Sequence, residues 1–201
     1  MIAAIVLAGG ASQRMGTTKA LLRFRGTTFL GGILDAALAV GLGPRVVVVG
    51  HDADKILQNI DLSSVTVVAS RDPTAGPIAS VRAGIEALVN HAVEGALIWH
   101  VDQPHVRLET IRALLDAFRL DRPPIVVPTL GNQRGHPLLL ARSVFDELWG
   151  SDTDLQGVRA VVHRDPGRVR AVPVEDPSIL EDIDTPEAYQ RLLKTLDSMR
   201  E

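Results

Sequence analysis

The sequence feature that most constrains this chain is a glycine turn directly after an apolar run near the N-terminus. The run from Ile2 to Leu7 is apolar and partly β-branched, which predicts a buried β-strand. Gly9 and Gly10 then let the backbone turn sharply and approach a ligand closely. Because successive N–H groups in such a turn can form an anion-binding nest, this part of the chain predicts a strand followed by a phosphate-binding loop.

Two cations, Arg14 and Lys19, follow the glycine turn at short spacing. Arginine can hold two oxygens with its planar fork, and lysine acts as a point charge. The stretch is neither a P-loop, since two threonines separate Gly16 from Lys19, nor a G-x-G-x-x-G dinucleotide fingerprint. An ordinary strand-to-helix turn with exposed cations is the alternative. The glycine turn, together with the spacing of Arg14, Gly16 and Lys19 after it, favours a site for a nucleoside triphosphate.

Strand and helix patterns alternate along most of the chain, which is typical of an α/β protein with a doubly wound sheet. The chain has 201 residues, of which 46% are hydrophobic but only 3% aromatic, so its core must be mainly aliphatic. We expect a single domain over residues 1–201, with a Rossmann-like, mostly parallel sheet flanked by helices. The first five predicted strands are Ile2–Leu7, Arg45–Val49, Val65–Ala69, Ala96–Val101 and Ile125–Pro128.

The alternation loosens after Asn132. The patterns beyond it predict an antiparallel element over His136–Leu140, a helix over Ser143–Trp149, strands over Val169–Val174 and Ile179–Ile183, and a closing helix over Pro186–Leu196.

Three aspartates are candidate metal ligands because of where they stand in this pattern. Asp102 directly follows the strand Ala96–Val101, and ligands of open α/β sheets bind beyond the carboxyl ends of strands. Mg²⁺ takes one or two carboxylates together with phosphate oxygens, so Asp102 is well placed to bind it. Asp182 and Asp184 would lie on one side of an extended segment before the last helix. Helix capping is the competing interpretation for Asp102 and Asp184, and the spacing does not choose between Asp182 and Asp184.

Composition excludes several classes of protein. A net charge of −3 argues against a general nucleic-acid binder, and the absence of cysteine excludes disulfides, thiolate metal sites and a cysteine nucleophile. No apolar stretch is long enough to span a membrane, and no signal peptide is recognisable. We therefore expect a cytoplasmic protein without a nucleic-acid or membrane partner. The remaining histidines show no metal-ligand spacing and are interpreted as structural or solvated: His51, His91, His100, His105 and His163.

The stretch LAGGASQRMGTTK, from Leu7 to Lys19, resembles the signature of the MobA/MocA-like nucleotidyltransferases, which have the nucleotide-diphospho-sugar-transferase type of fold. The resemblance implies Mg²⁺-dependent transfer of a nucleotide from CTP or GTP to a phosphorylated acceptor, molybdopterin above all, with release of pyrophosphate. It also implies a molybdoenzyme or its chaperone as a protein partner.

The resemblance assigns roles to individual residues. Arg14, Lys19 and Asp102 would be catalytic, Asp102 and Asp184 would hold Mg²⁺, and Asp182 is the second choice for the metal. The residues that would bind the nucleotide are Leu7, Ala8, Gly9, Gly10, Ser12, Arg14, Met15, Gly16, Lys19, Asp72, Gly76 and Pro77. The residues that would bind the acceptor, in a region of about 130–170, are Gly135, His136 and Arg159. For both loop regions, a connector without a ligand is the competing interpretation.

The sequence does not determine which base the nucleotide carries or which acceptor receives it. Gly9-Gly10 is closer to the guanylyl branch of the family, whereas Gly135-His136-Pro137 is closer to the cytidylyl branch. The alternatives are a transferase for a methylerythritol phosphate-like or phospholactate-like acceptor, an oxidoreductase for a small heterocycle, and a non-catalytic nucleotide-binding regulator.

Overall fold

The structure, a computed structural model, describes residues 1–10, 14–70 and 76–197. Within these ranges the strands are β1 (Ile2–Ala8), β2 (Arg23–Phe24), β3 (Thr27–Thr28), β4 (Arg45–Val49), β5 (Thr66–Ala69), β6 (Gly95–His100), β7 (Ile125–Leu130), β8 (Gln133–Arg134), β9 (Leu138–Ala141) and β10 (Val169–Pro173). The helices are α1 (Phe29–Ala39), α2 (Ala53–Asn59), α3 (Pro77–Glu86), α4 (Leu108–Asp121), α5 (Ser151–Gln156), α6 (Val158–Arg164) and α7 (Pro186–Asp197).

The main sheet has eight strands in the order β10-β7-β9-β6-β1-β4-β5, with β8 paired to β7. β1 pairs in parallel with both β4 and β6, whereas β9 runs antiparallel between β6 and β7. β2 and β3 form a separate antiparallel pair. The mostly parallel α/β sheet expected from the sequence is confirmed.

Both faces of this sheet are covered by helices, which explains why the central strand β1 is apolar and buried at every position. Along β1, Ala4 and Val6 belong to the core cluster that includes α1 and α4. Ile5 and Leu7 belong to the opposite cluster, together with α3 and α6. The alternation of side chains along one strand therefore builds two cores, one on each face.

The carboxyl ends of β1 and β6 meet at the point where the strand order reverses. Leu7 is in register with His100, and the Val101 N–H donates to the Leu7 carbonyl over 3.1 Å. This pairing brings the glycine turn after β1 next to Asp102, which follows β6. The site predicted from the strand-end rule therefore lies at one edge of the sheet.

Two of the expected elements beyond residue 140 are wrong. The predicted strand over Ile179–Ile183 is partly a 3₁₀ helix, Pro177–Leu180, because Asp176 caps it by accepting from the Ser178 N–H over 3.2 Å. The predicted helix over Ser143–Trp149 is two short 3₁₀ helices, Arg142–Val144 and Asp146–Trp149.

The longest of the described helices, α4, has 14 residues and carries charges along its length. A membrane-spanning helix needs about 20 mainly apolar residues. No helix in the described ranges meets the length and hydropathy required to cross a bilayer.

Candidate functional site

The side chain of Lys19 joins two acids that lie more than 80 positions away in the sequence. Its Nζ is 2.9 Å from Asp102 Oδ2 and also donates a hydrogen bond to Asp184 Oδ1. Arg14 Nη2 lies 2.6 Å from the other oxygen of Asp184, Oδ2. The structure thus brings the two predicted cations and the two favoured acids into one cluster.

Backbone contacts hold this cluster in place. Asp102 leaves β6, and its carbonyl accepts a 2.9 Å hydrogen bond from the Ile183 N–H. The Ile183 side chain is buried in the core, so the residues on either side of it are anchored beside Asp102. Lys19 begins a short 3₁₀ helix whose next residue, Ala20, is also buried. The charged side chains therefore project from fixed backbone.

Electrostatics reinforce the pairing. Burial lowers the pKa of Lys19, but the hydrogen bond to Asp184 and the charge of Asp102 outweigh it, so the pKa of Lys19 is raised. The hydrogen bond from Lys19 is the main reason that the pKa of Asp184 lies below its ordinary value. Lys19 and Asp184 are accordingly charged at neutral pH.

Asp182, the second candidate at this segment, has a different environment. Its Oδ1 accepts from Gln103 Nε2 over 3.0 Å. Burial of the carboxyl group raises the pKa of Asp182, and the nearby negative charge of Asp102 raises it further. The contacts of Lys19 and Arg14 therefore distinguish Asp184 from Asp182, which the spacing alone did not.

The donor set fits a divalent cation that shares its ligands with phosphate. Asp102 Oδ1 is buried and has no hydrogen-bond partner within the described residues, and Asp102 and Asp184 converge on one point, the Lys19 ammonium. No group of three or more acidic or histidine side chains suited to a metal occurs in the described part of the chain. Two carboxylates completed by phosphate oxygens and water are typical of Mg²⁺ sites.

A cavity of about 540 Å³ opens beside this cluster. Among the residues predicted for the nucleotide, those that line it are Leu7, Ala8, Gly9, Gly10, Lys19, Gly76 and Pro77, and Asp102 lines it as well. Met15 is buried in the core, and Gly16 is exposed with a positive φ of 68°; neither lines the cavity. Ser12 and Asp72 lie outside the described residues.

Several residues in this cavity were missed from the sequence. Thr18, His51, Ser70, Ser80 and His100 contribute polar lining groups. The signal that could have found three of them is their place directly after, or at the end of, a parallel strand, namely β4, β5 and β6.

Gly50, after β4, allows the glycine turn to pack closely. A Cβ built at Gly50 would lie 2.8 Å from the Cα of Gly9, closer than such atoms approach in proteins. A Cβ at Gly9 would lie 3.3 Å from Ser80 Oγ in α3 and 3.7 Å from the Gly50 nitrogen. The turn after β1 is therefore held between the end of β4 and the first turns of α3.

A second cavity, of about 690 Å³, adjoins the first. Its apolar lining comes from Ile78, Val81, Ile98, Val127, Leu138, Val158 and Val162. The three residues predicted for the acceptor, Gly135, His136 and Arg159, line it together with Arg134 and His163. Arg134 and Arg159 are exposed and form no ion pair within the described ranges, so both guanidinium groups are available to an anion.

The His136 ring lies at the inner side of this second cavity. It meets the His100 ring edge to face, with centroids 4.8 Å apart. Burial lowers the pKa of His136 to about 4, and the proximity of His100 contributes. His136 is therefore neutral at physiological pH.

Comparison with known proteins identifies the family. The model of the MobA-like NTP transferase domain matches residues 4–169. Nicotine blue oxidoreductase from Paenarthrobacter nicotinovorans is 28% identical over 204 residues, 96% of each chain. The molybdenum cofactor cytidylyltransferase of Escherichia coli K12 is 24% identical over 92% of each chain. A probable molybdenum cofactor guanylyltransferase from Natranaerobius thermophilus is 28% identical over 64% of this chain and 60% of its own.

Solved structures superimpose on most of the chain. Rv0371c from Mycobacterium tuberculosis H37Rv superimposes with a TM-score of 0.82 at 34% identity, covering 96% of this chain and 97% of that one. A second structure of Rv0371c, a complex with manganese, superimposes with a TM-score of 0.78 at 32% identity, covering 96% of this chain and 98% of that one.

Proposed function

The chain belongs to the family of the MobA-like NTP transferase domain, and from that premise we propose that it transfers a nucleotide from CTP or GTP to molybdopterin, with release of pyrophosphate. One nucleotidyltransferase domain carries both substrates: the N-terminal part binds the nucleotide, and residues of about 130–170 bind the acceptor. Relatives named as molybdenum cofactor cytidylyl- and guanylyltransferases support this choice of acceptor.

The observation that carries the proposal is the bridge from Lys19 to Asp102 and Asp184 beside the glycine turn. A triphosphate needs cations for its oxygens and carboxylates for its counter-ion. Lys19 and Asp102 line the first cavity, and Arg14 and Asp184 are joined to them by ion pairs beside it. In this assignment Leu7 to Gly10 line the nucleotide, and Gly76 and Pro77 shape the pocket at the start of α3.

The chain's own residues act by charge and position. Arg14 and Lys19 turn from the acids to the β- and γ-phosphates and stabilise the charge that develops on the leaving pyrophosphate. Asp102 and Asp184 are then the residues that would hold Mg²⁺. When bound, Mg²⁺ supplies Lewis-acid stabilisation of phosphate charge. The acceptor phosphate is already ionised at neutral pH, so the chain need not remove a proton from it, and most of the rate comes from orientation.

The second cavity supports an acceptor that combines an apolar ring system with an anionic group. Its wall is largely aliphatic, and Arg134 and Arg159 are exposed and have no carboxylate partner among the residues that the structure describes. Arginine is well suited to bind a phosphate with two parallel hydrogen bonds. His136 and Gly135 are in this arrangement part of the acceptor site.

The test is pyrophosphate release by the purified protein with Mg²⁺ and molybdopterin, using CTP, GTP, ATP and UTP in parallel. We expect release with CTP or GTP and a product that contains the nucleotide, identified by mass spectrometry. If pyrophosphate is released only with methylerythritol phosphate or phospholactate as the acceptor, the chain is still a nucleotidyltransferase, but molybdopterin is not its acceptor. The absence of release with every pair would reject the proposal.

The relative named nicotine blue oxidoreductase favours a second candidate, reduction of a small heterocycle, because it aligns with 96% of the chain. The largely aliphatic second cavity is compatible with an uncharged ring system. Oxidation of NAD(P)H by a heterocyclic substrate, measured at 340 nm, separates this activity from transfer. Such oxidation without pyrophosphate release in the first assay would favour the oxidoreductase.

A further inference from the structure

The two cavities share a short boundary at the carboxyl ends of the strands. The residues that line both of them are Leu7, Gly76, Pro77 and His100. His100 is the one member of this set with a polar side chain. In a transfer reaction the attacking oxygen reaches from the acceptor cavity to the nucleotide, so it passes this boundary.

We propose that His100 holds the attacking oxygen of the acceptor in line with the α-phosphate of the nucleotide, and that His136 orients the His100 ring for this task. The inference rests on the proposed nucleotidyl transfer. An imidazole N–H donates a hydrogen bond, so His100 can hold an oxygen of the acceptor phosphate.

The backbone of His100 is held in place by strand pairing and a hydrogen bond. His100 ends β6 in register with Leu7 of β1, and its carbonyl accepts from the Gln103 N–H over 3.1 Å. Its backbone therefore has little freedom, and the remaining freedom is the rotation of the ring. A residue that aligns two substrates needs this kind of support.

His136 limits that rotation from the side of the second cavity. The two rings meet at an interplanar angle of 73°, the edge-to-face geometry that aromatic pairs prefer. The His136 backbone is itself fixed, because its N–H donates to the Ile179 carbonyl over 2.9 Å. Because burial keeps His136 neutral, its contribution to His100 is that of an aromatic ring rather than of a charge.

The proposed reaction needs no proton transfer to or from His100. The acceptor phosphate oxygen forms the new bond to the α-phosphorus, the bond from that phosphorus to the bridging oxygen of the β-phosphate breaks, and pyrophosphate leaves with the electron pair. Replacing His100 should therefore slow the transfer step and leave the binding of the nucleotide intact.

The experiment compares H100A, H100Q and the control H91A, using molybdopterin and whichever of CTP and GTP the wild type accepts. His91 is exposed and lines neither cavity. We expect kcat to fall about 100-fold in H100A, as for a small misplacement of reacting groups, with nucleotide Kd changed less than about twofold. H100Q, which keeps a polar group at similar reach, should recover part of kcat, and H91A should match the wild type. H100Q also serves as the test if H100A does not fold.

A second pair of variants tests the orienting role of His136. H136F keeps the edge-to-face ring, so its kcat at saturating acceptor should lie well above that of H136A. The KM for the acceptor should rise in both variants, because His136 also belongs to the proposed acceptor site. Equal kcat in these two variants would refute the orienting role. Unchanged kcat in H100A, or a rise in nucleotide Kd as large as the loss of kcat, would refute the role of His100. A wild type that releases no pyrophosphate with any substrate pair overturns the proposed function, and this inference with it.

Discussion

The two cavities that meet at His100 are organised by opposite physical means. The first is held together by charge pairing, since Lys19 and Arg14 bind the carboxylates of Asp102 and Asp184. The second is built by burial, with a largely aliphatic wall and a neutral histidine, and its two exposed arginines form no ion pair within the described ranges. The same sheet edge thus supplies one polar and one largely apolar compartment.

The difference indicates how each compartment would recognise its ligand. In the first cavity the chain's own cation occupies the place between two acids, so a charged ligand exchanges one set of ion pairs for another. In the second cavity an anion would displace no ion pair of the described residues, and shape and apolar area add to the charge of Arg134 and Arg159 in deciding what fits. Substitutions away from the shared residue His100 and its neighbour His136 should therefore change ligand binding in one compartment and leave it nearly unchanged in the other.

The substitution in the charged cavity with the largest expected effect on turnover is Asp102→Asn. The substitution keeps size and removes the charge of a carboxylate that has one buried oxygen without a hydrogen-bond partner in the described structure. We expect Mg²⁺-dependent pyrophosphate release to fall about 1,000-fold, corresponding to about 4 kcal/mol of lost transition-state stabilisation. The measurement is kcat/KM at saturating Mg²⁺.

A matched control for this variant is Asp116→Asn on the exposed side of α4, where Asp116 pairs with Arg119. We expect wild-type turnover from it. Thermal unfolding of both variants should stay near that of the wild type, so that loss of activity in D102N reports on the site. Undiminished turnover in D102N would contradict the assignment of Asp102.

For the apolar cavity the expected effect is a pH dependence of the free energy of unfolding, caused by His136. Because the pKa of His136 is lowered to about 4 from 6.5, the unfolded chain binds its proton more readily than the folded chain. The stability contributed by the neutral ring is therefore complete above about pH 6.5 and is lost as the pH falls towards 4. Between pH 7 and pH 5 this loss amounts to about 2 kcal/mol.

Urea unfolding of the wild type and of H136F at both pH values measures this contribution. The phenyl ring does not titrate, so the pH-dependent loss should be smaller by about 2 kcal/mol in H136F. Part of the slope should persist, because burial also lowers the pKa of His105. An identical slope in the two proteins would show that the His136 ring is not held neutral by the fold.

The charged cavity was largely predictable from the sequence, and the reason is general. The glycine turn, Lys19 and Asp102 each stand directly after a recognisable strand or within one continuous motif, and parallel strands end at a common edge. The family resemblance favours Asp184 over Asp182, which the spacing does not separate. In the structure Lys19 and Arg14 contact Asp184, whereas Gln103 contacts Asp182.

The apolar cavity was much less predictable. One wall consists of α5 and α6, helices of 6 and 7 residues separated by Gly157 at a φ of 63°, and such short elements leave no clear period in the sequence. His100 was interpreted as structural or solvated, since nothing local shows that β9 and the segment of His136 will lie beside it. The lining of this cavity depends on pairing between strands that are distant in the sequence, and patterns within a single sequence do not reveal that pairing.

Lys19→Met separates the two roles of the Lys19 ammonium. It should weaken nucleotide binding, but without nucleotide it should strengthen Mn²⁺ binding, because a cation no longer competes for Asp102 and Asp184. We expect the Kd for Mn²⁺ to fall about tenfold, the equivalent of one charged hydrogen bond of roughly 1.5 kcal/mol. Titration calorimetry or Mn²⁺ paramagnetic resonance measures it.

Lys55→Met is the control, since Lys55 forms a 2.9 Å ion pair with Asp52 and has no ion pair with Asp102 or Asp184 within the described residues. Its Kd for Mn²⁺ should equal that of the wild type. A K19M protein whose Mn²⁺ affinity is unchanged would mean that Lys19 does not occupy the cation position.

The smallest expected effect comes from Asp182→Asn, and it sharpens the distinction between the two neighbouring acids. An asparagine oxygen can still accept from Gln103 Nε2, and removing a negative charge near Asp102 relieves repulsion. Turnover should therefore change less than about threefold, and the free energy of unfolding by less than about 0.5 kcal/mol. Asp184→Asn, which loses the ion pairs with Lys19 and Arg14, should reduce turnover about 30-fold in the same assay. The reverse order of the two variants would transfer the metal-holding role to Asp182, because the ligand carboxylate is the one whose charge the reaction needs.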